Sequence, residues 1–80
     1  MTPDIIGTTI TDTIVRIAQI SRPAVEDDIY LAGFASTDAL ELLVELEDSF
    51  SIVVPDDRFI DARTVSALTL LVQDALKEVA

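Results

Sequence analysis

The sequence predicts an all-α fold: a four-helix bundle with three longer helices, one short helix and a long first connector. Three observations predict it. Apolar residues recur at helical spacing along three stretches of the chain. Helix-start signals stand at Thr2-Pro3-Asp4, at Ser36 and at Thr64. The length is 80 residues, which suits one domain, 1–80, and no second core. A chain this short buries only roughly 60–65% of its unfolded surface, so it must use nearly every apolar residue, and half of its residues are apolar.

The first helix opens with a capping hydroxyl at Thr2, a proline at the first helical position and an acid facing the positive end of the helix dipole. Ile5, Ile6, Ile10, Ile14, Ile17 and Ala18 then form its apolar stripe. Thr8, Thr9, Thr11 and Thr13 are poor helix formers, so the helix depends on packing. Its end is expected near Ile20, because Pro23 disfavours helical geometry at Arg22.

Residues 21–35 are too apolar for a free linker. Val25, Ile29, Tyr30, Leu31 and Phe34 need seats, so the segment reads as an ordered loop across the bundle, with a turn of helix around Ile29 to Leu31. Gly33 suits a tight turn before the next helix. That helix runs from about Ser36 or Thr37 to Phe50. At about 100° per residue, Ala39, Leu42, Leu43, Leu46 and Phe50 share one face, and Asp38, Glu41, Glu45 and Asp48 share the opposite one. Leu40 and Val44 lie between the two.

Ser51 to Val54 could be taken for a strand, but a lone strand has no partner in so short a chain. Asp56 or Asp57 can cap a short third helix holding Phe59, Ile60 and Ala62. Thr64 caps the last helix, in which Val65, Leu68, Leu71, Val72, Ala75, Leu76 and Val79 repeat at helical spacing.

Composition narrows the chemistry. The chain has no Cys and no His, so thiolate chemistry and the commonest general base are both missing. Its formal net charge is −10. Between Arg22 and Arg58 stand many carboxylates and no basic residue. Such a field repels nucleic acid and anionic lipid and attracts proteins with basic patches. No apolar run approaches the roughly 18–20 residues of a membrane span, and no secretory segment opens the chain. A monomeric cytoplasmic protein is the expectation.

Serine nucleophiles lack a base. The carboxylates lie on an exposed-looking face, where burial cannot raise their pKa. The pairs Asp27-Asp28 and Asp56-Asp57 lack calcium-loop spacing, so no metal site is expected. Intrinsic catalysis is therefore not expected, and the chain reads as no enzyme.

Ser36 has two readings. By frequency, a serine before a helix is a cap. Its context, after a glycine turn and at the head of an acidic helix, suits an attached phosphate, which helix-opening N–H groups stabilise.

The run Leu31-Ala32-Gly33-Phe34-Ala35-Ser36-Thr37-Asp38-Ala39-Leu40-Glu41-Leu42, continued by Leu46-Glu47-Asp48-Ser49-Phe50 and by Ile52 to Asp57, resembles the acyl carrier protein family. The resemblance extends into the last helix. It implies an acyl-carrier-like bundle and a free-standing carrier. Ser36 then matches the serine that a phosphopantetheinyl transferase esterifies with 4′-phosphopantetheine from coenzyme A. The arm's thiol would carry acyl or aminoacyl thioesters between enzymes of a polyketide, non-ribosomal peptide or fatty-acid-type pathway. Partner recognition would fall to Thr37, Asp38, Leu40, Glu41, Val44, Glu45, Glu47 and Asp48. Ala39, Leu42, Leu46, Val54 and Ala62 would line an acyl cleft.

The family usually places Asp before the serine and a large apolar residue after it. Here Ala35 and Thr37 stand there, which points to a specialised biosynthetic carrier. The alternative is an acidic interaction module that keeps the fold without the arm.

Overall fold

Thr2 starts the first helix as its sequence implies. In the computed structural model, which describes residues 1–79, the Thr2 hydroxyl accepts the Ile5 N–H at 3.3 Å, and α1 spans Pro3–Ala18. Ile6, Ile10 and Ile14 are fully buried, and each such side chain contributes about 1.5–3 kcal/mol of transfer free energy. The threonines fit because their hydroxyls turn inward. Thr9, Thr11 and Thr13 donate to the carbonyls of Ile5, Gly7 and Thr9 at 2.9, 2.8 and 2.8 Å. Thr11 and Thr13 are thereby buried with their oxygens satisfied.

Two details differ from the sequence expectation. Ile5 is exposed, because one residue before Ile6 it is rotated about 100° off the buried face. The helix also ends at Ala18 rather than near Ile20. Gln19 takes a left-handed conformation (φ 54°), and its N–H closes on the Val15 carbonyl at 2.8 Å. This C-cap geometry stops the helix before Pro23 can act.

The long connector is ordered and tied down. Ile29 and Phe34 are buried and Tyr30 is half-buried, whereas Val25 and Leu31 are exposed and find no seat. The turn expected at Ile29 to Leu31 is a single one. Phe34 N–H reaches the Ile29 carbonyl at 2.9 Å, and Gly33 N–H reaches the Tyr30 carbonyl at 3.3 Å. That pair of bonds is a Schellman closure with Gly33 in the left-handed position, and φ at Gly33 is 113°.

Ser36–Asp38 forms one turn of 3-10 helix, and α2 follows over Ala39–Phe50. Leu42, Leu43, Leu46 and Phe50 are buried, while Ala39 is only half-buried at the edge of that face. Ser51, left-handed at φ 55°, ends the helix. Ile52 and Val54 then point inward and Val53 outward. The connector is extended, and no strand occurs among the described residues.

The short α3 spans Asp56–Asp61. Neither Asp56 nor Asp57 caps it. Pro55 holds the cap position without a side-chain bond, and the two acids lie inside the first turn, where they face the helix dipole. The last helix, α4, spans Val65–Val79, with the Thr64 hydroxyl accepting from Ala67 N–H at 3.0 Å. Its stripe is buried from Val65 to Ala75, while Val79 emerges into solvent. α1 packs chiefly on α4 and secondarily on α2, and α3 leans on α4. The four-helix architecture expected from the sequence is the one observed.

The two glycines make opposite demands. A Cβ on Gly33 would lie 3.1 Å from Ile20 Cγ2 at a positive φ, whereas a Cβ on Gly7 would make ordinary 3.5 Å contact with Thr69 Oγ1. Gly33→Ala should therefore destabilise the fold by about 1–2 kcal/mol. Gly7→Ala should be neutral or stabilise by about 0.5–1 kcal/mol. Thermal melting of the two variants checks the contrast, and equal shifts would refute it.

Candidate functional site

The site is built where the long connector meets the head of α2. Asp28 organises this corner. Its Oδ1 accepts the N–H groups of Tyr30 and Leu31 at 2.9 and 3.3 Å, starting the turn. Its two oxygens also receive Arg63 Nε at 2.7 Å and Nη2 at 3.3 Å. Arg63 lies in the joint between α3 and α4, and its carbonyl accepts Ile29 N–H at 2.8 Å. The guanidinium carbon sits 4.7 Å from the Tyr30 ring centroid, a cation–π contact. Tyr30 meets Phe34 edge to face at 5.6 Å. One charged pair thus fixes two aromatic rings.

Those rings form one wall of a groove of about 450 Å³. Phe59 and Ile60 come from α3, Ala39 from α2, and Ser36 stands among the lining residues with Arg63. Ser36 is exposed. The cap positions of the 3-10 turn and of α2 are Ala35 and Asp38, neither with a side-chain cap bond. The Ser36 hydroxyl is therefore not used as an N-cap, and the reading of Ser36 as a cap does not hold. A second groove, about 640 Å³, lies between α1, α4 and residues 22–25 and shares no lining residue with the first.

The residues expected to form an acyl cleft separate in the structure. Ala39 lines the groove. Leu42, Leu46, Val54 and Ala62 are 0%, 1%, 3% and 7% exposed, so they are packed into the core and none lines the groove. The groove itself is lined, beside Ser36 and Ala39, by Tyr30, Phe34, Phe59, Ile60 and Arg63. The sequence signal for them was weak, because Tyr30, Phe34 and Arg63 lie in non-periodic segments and α3 is too short for a readable stripe.

The acids of α2 also separate. Glu45 pairs with Arg16 of α1 at 2.9 Å. Glu47 turns back, and its Oε2 accepts the Val54 N–H at 2.9 Å, fixing the connector to α3. Asp38, Glu41 and Asp48 make no ion pair among the described residues. They stand on the helix that also exposes Leu40 and Val44, and Thr37 is exposed at its head. No group of acids that could hold a metal ion occurs among the described residues, and no helix is long and apolar enough to cross a membrane.

With this geometry in place, the comparisons decide the family. The family model described as "Phosphopantetheine attachment site" matches residues 8–72. The chain belongs to that family. Its defining group is 4′-phosphopantetheine, and its domains are generally not catalytic; they serve phosphopantetheinyl transferases and biosynthetic enzymes. The matched span contains Ser36, the whole of α2 and α3, and both halves of the Asp28–Arg63 contact. A search of curated proteins returned no match.

The residues fit the group. An exposed serine hydroxyl with no capping duty is a free esterification point, and the opening amides of a helical segment have no intrahelical acceptor. The groove beside it offers aromatic walls and one cation.

The Asp28 carboxyl is held below its ordinary range, first by the Arg63 hydrogen bonds and then by the Leu31 and Tyr30 amides. A depressed folded-state pKa contributes stability that is present above the unfolded value, about 3.9, and lost as pH falls through the folded value. Acidification below about pH 4 should therefore loosen this corner. Asp28→Asn should lower the melting temperature at neutral pH and shrink its fall on acidification. An acid limb of equal size in wild type and variant would contradict the assignment.

Proposed function

We propose that this chain is a thioester-carrying carrier domain and that Ser36 is its phosphopantetheine attachment residue. The observation that carries the reading is the placement of Ser36. It is an exposed hydroxyl at the start of the helical segment leading into α2, outside both cap positions and on the rim of the groove. When bound, the group supplies a terminal thiol that holds acyl or aminoacyl cargo as a thioester. A chain without cysteine depends on such an external sulfur.

The chain's own residues then divide the work. Ser36 provides the ester oxygen. Thr37, Asp38, Leu40, Glu41, Val44 and Asp48 form the partner-facing surface, in which exposed apolar side chains lie beside carboxylates that have no cation of their own among the described residues. Basic patches on the transferase and on loading and transferring enzymes are the complementary surfaces, and charge complementarity of this kind acts mainly on encounter rate. Glu45 and Glu47 belong at the margin of this surface, because Arg16 and the Val54 amide already occupy them. A polyketide, non-ribosomal peptide or fatty-acid-type pathway in the cytoplasm, served by a monomer, is the setting we propose.

Incubation with coenzyme A and a broad-specificity phosphopantetheinyl transferase should add the mass of one phosphopantetheinyl group. Ser36→Ala should abolish the gain without changing the far-ultraviolet circular dichroism, because the hydroxyl supports no cap. A gain that persists in Ser36→Ala, or no gain with several transferases, would refute the assignment.

A further inference from the structure

The groove beside Ser36 carries a single charge. Its other lining residues are aromatic, aliphatic or hydroxylic, and no carboxylate lines it. That charge is Arg63, on a chain whose net charge is −10. The other arginines are engaged elsewhere, Arg16 with Glu45, Arg22 with Asp12 and Arg58 with Asp74.

Arg63 is only partly used. A guanidinium has five N–H donors in a rigid fork. Asp28 takes Nε and one bond from Nη2. Nη1 makes no side-chain hydrogen bond among the described residues. The Tyr30 ring under the guanidinium fixes its plane, and half of the side chain remains exposed. This is a pre-oriented cation with donors to spare, on the groove that the serine also lines.

We propose that Arg63 binds an anion in this groove: the phosphodiester esterified to Ser36, or a carboxylate on the cargo that the arm carries. The chemistry is the same for both, a charge-assisted hydrogen bond from the free side of the fork. Asp28 and Tyr30 are then positioning residues for Arg63. The inference rests on Ser36 as the attachment residue.

The test uses the full chain in four states: unmodified, carrying the arm, and carrying the arm loaded with either an acetyl or a malonyl group. The Arg63 side-chain N–H resonances and the phosphorus resonance of the arm are recorded in each. If the phosphodiester is the anion, the Arg63 signals move on attachment of the arm. If the cargo carboxylate is the anion, they move only with malonyl and not with acetyl.

Asp28→Asn separates binding from support. It breaks the clamp but keeps the cation, so the Arg63 shift should shrink there without vanishing. If the phosphodiester is the anion, the phosphorus resonance of the arm should move from its wild-type position in Arg63→Gln and stay nearer to it in Arg63→Lys. Arg63 resonances that superimpose in all four states, with the arm shown by mass to be on Ser36, would overturn the inference alone. Failure of the mass gain at Ser36 would overturn the attachment reading and this inference together.

Discussion

The contact between Asp28 and Arg63 is the constraint on which the functional end of the molecule depends. The chain from Gln19 to Ala35 has no regular secondary structure, and connectors this long are uncommon in small domains unless they serve a function. Fixing each of its residues costs about 1–2 kcal/mol of backbone entropy, so specific contacts must hold it. Ile29 and Phe34 anchor it in the core. Ser66 N–H bonds to the Val25 carbonyl at 2.9 Å, occupying one of the open amides at the head of α4. The Asp28–Arg63 pair, with the Ile29 N–H on the Arg63 carbonyl, locks the final turn against the α3–α4 joint. Exposed ion pairs usually contribute little. This one differs in being bidentate and shared with two backbone amides, and it has a packing consequence, because it sets the Tyr30 ring.

The same economy governs the charge distribution. Four arginines each take one carboxylate, and every one of these pairs ties separate parts of the chain: α1 to α2, α3 to α4, and the connector to the α3–α4 joint. Arg22 and Asp12 join the connector to α1. The excess acids are left to the surface, and on α2 they leave Asp38, Glu41 and Asp48 beside exposed Leu40 and Val44. An unpaired acidic helix face costs a few tenths of a kcal/mol per neighbouring pair. That cost has a use if cationic partner surfaces relieve it.

The sequence made the helices legible because their signals are local. Thr2 and Thr64 cap and Pro3 opens α1 by nearest-neighbour chemistry, and the apolar stripes of α1, α2 and α4 are periodic. Gly33 was legible as a turn for the same reason. What escaped was decided by tertiary contact. The left-handed Gln19 and Ser51 carry no residue signature of the kind glycine gives. The exposure of Val25 and Leu31 depends on how the connector lies. Glu47 is spaced like any surface acid, yet it bonds to a backbone amide seven positions away. Arg63 and Asp28 lie 35 residues apart, and no pattern in the chain links them. Of the expected cleft residues, Leu42, Leu46, Val54 and Ala62 are core residues and Ala39 lies at the groove. The groove joins Tyr30 and Phe34 of the connector to Phe59 and Ile60 of α3 and to Ala39 of α2, a meeting that only the tertiary fold brings about.

The central claim is that the Asp28–Arg63 contact holds the wall of the groove beside Ser36, and native-state amide hydrogen exchange tests it most directly. In the wild type, the Ile29 and Phe34 amides should be protected to a degree comparable with Leu46 in the middle of α2. In Arg63→Gln they should exchange markedly faster while Leu46 keeps its protection. Unchanged protection of Ile29 and Phe34 in the variant would contradict the account.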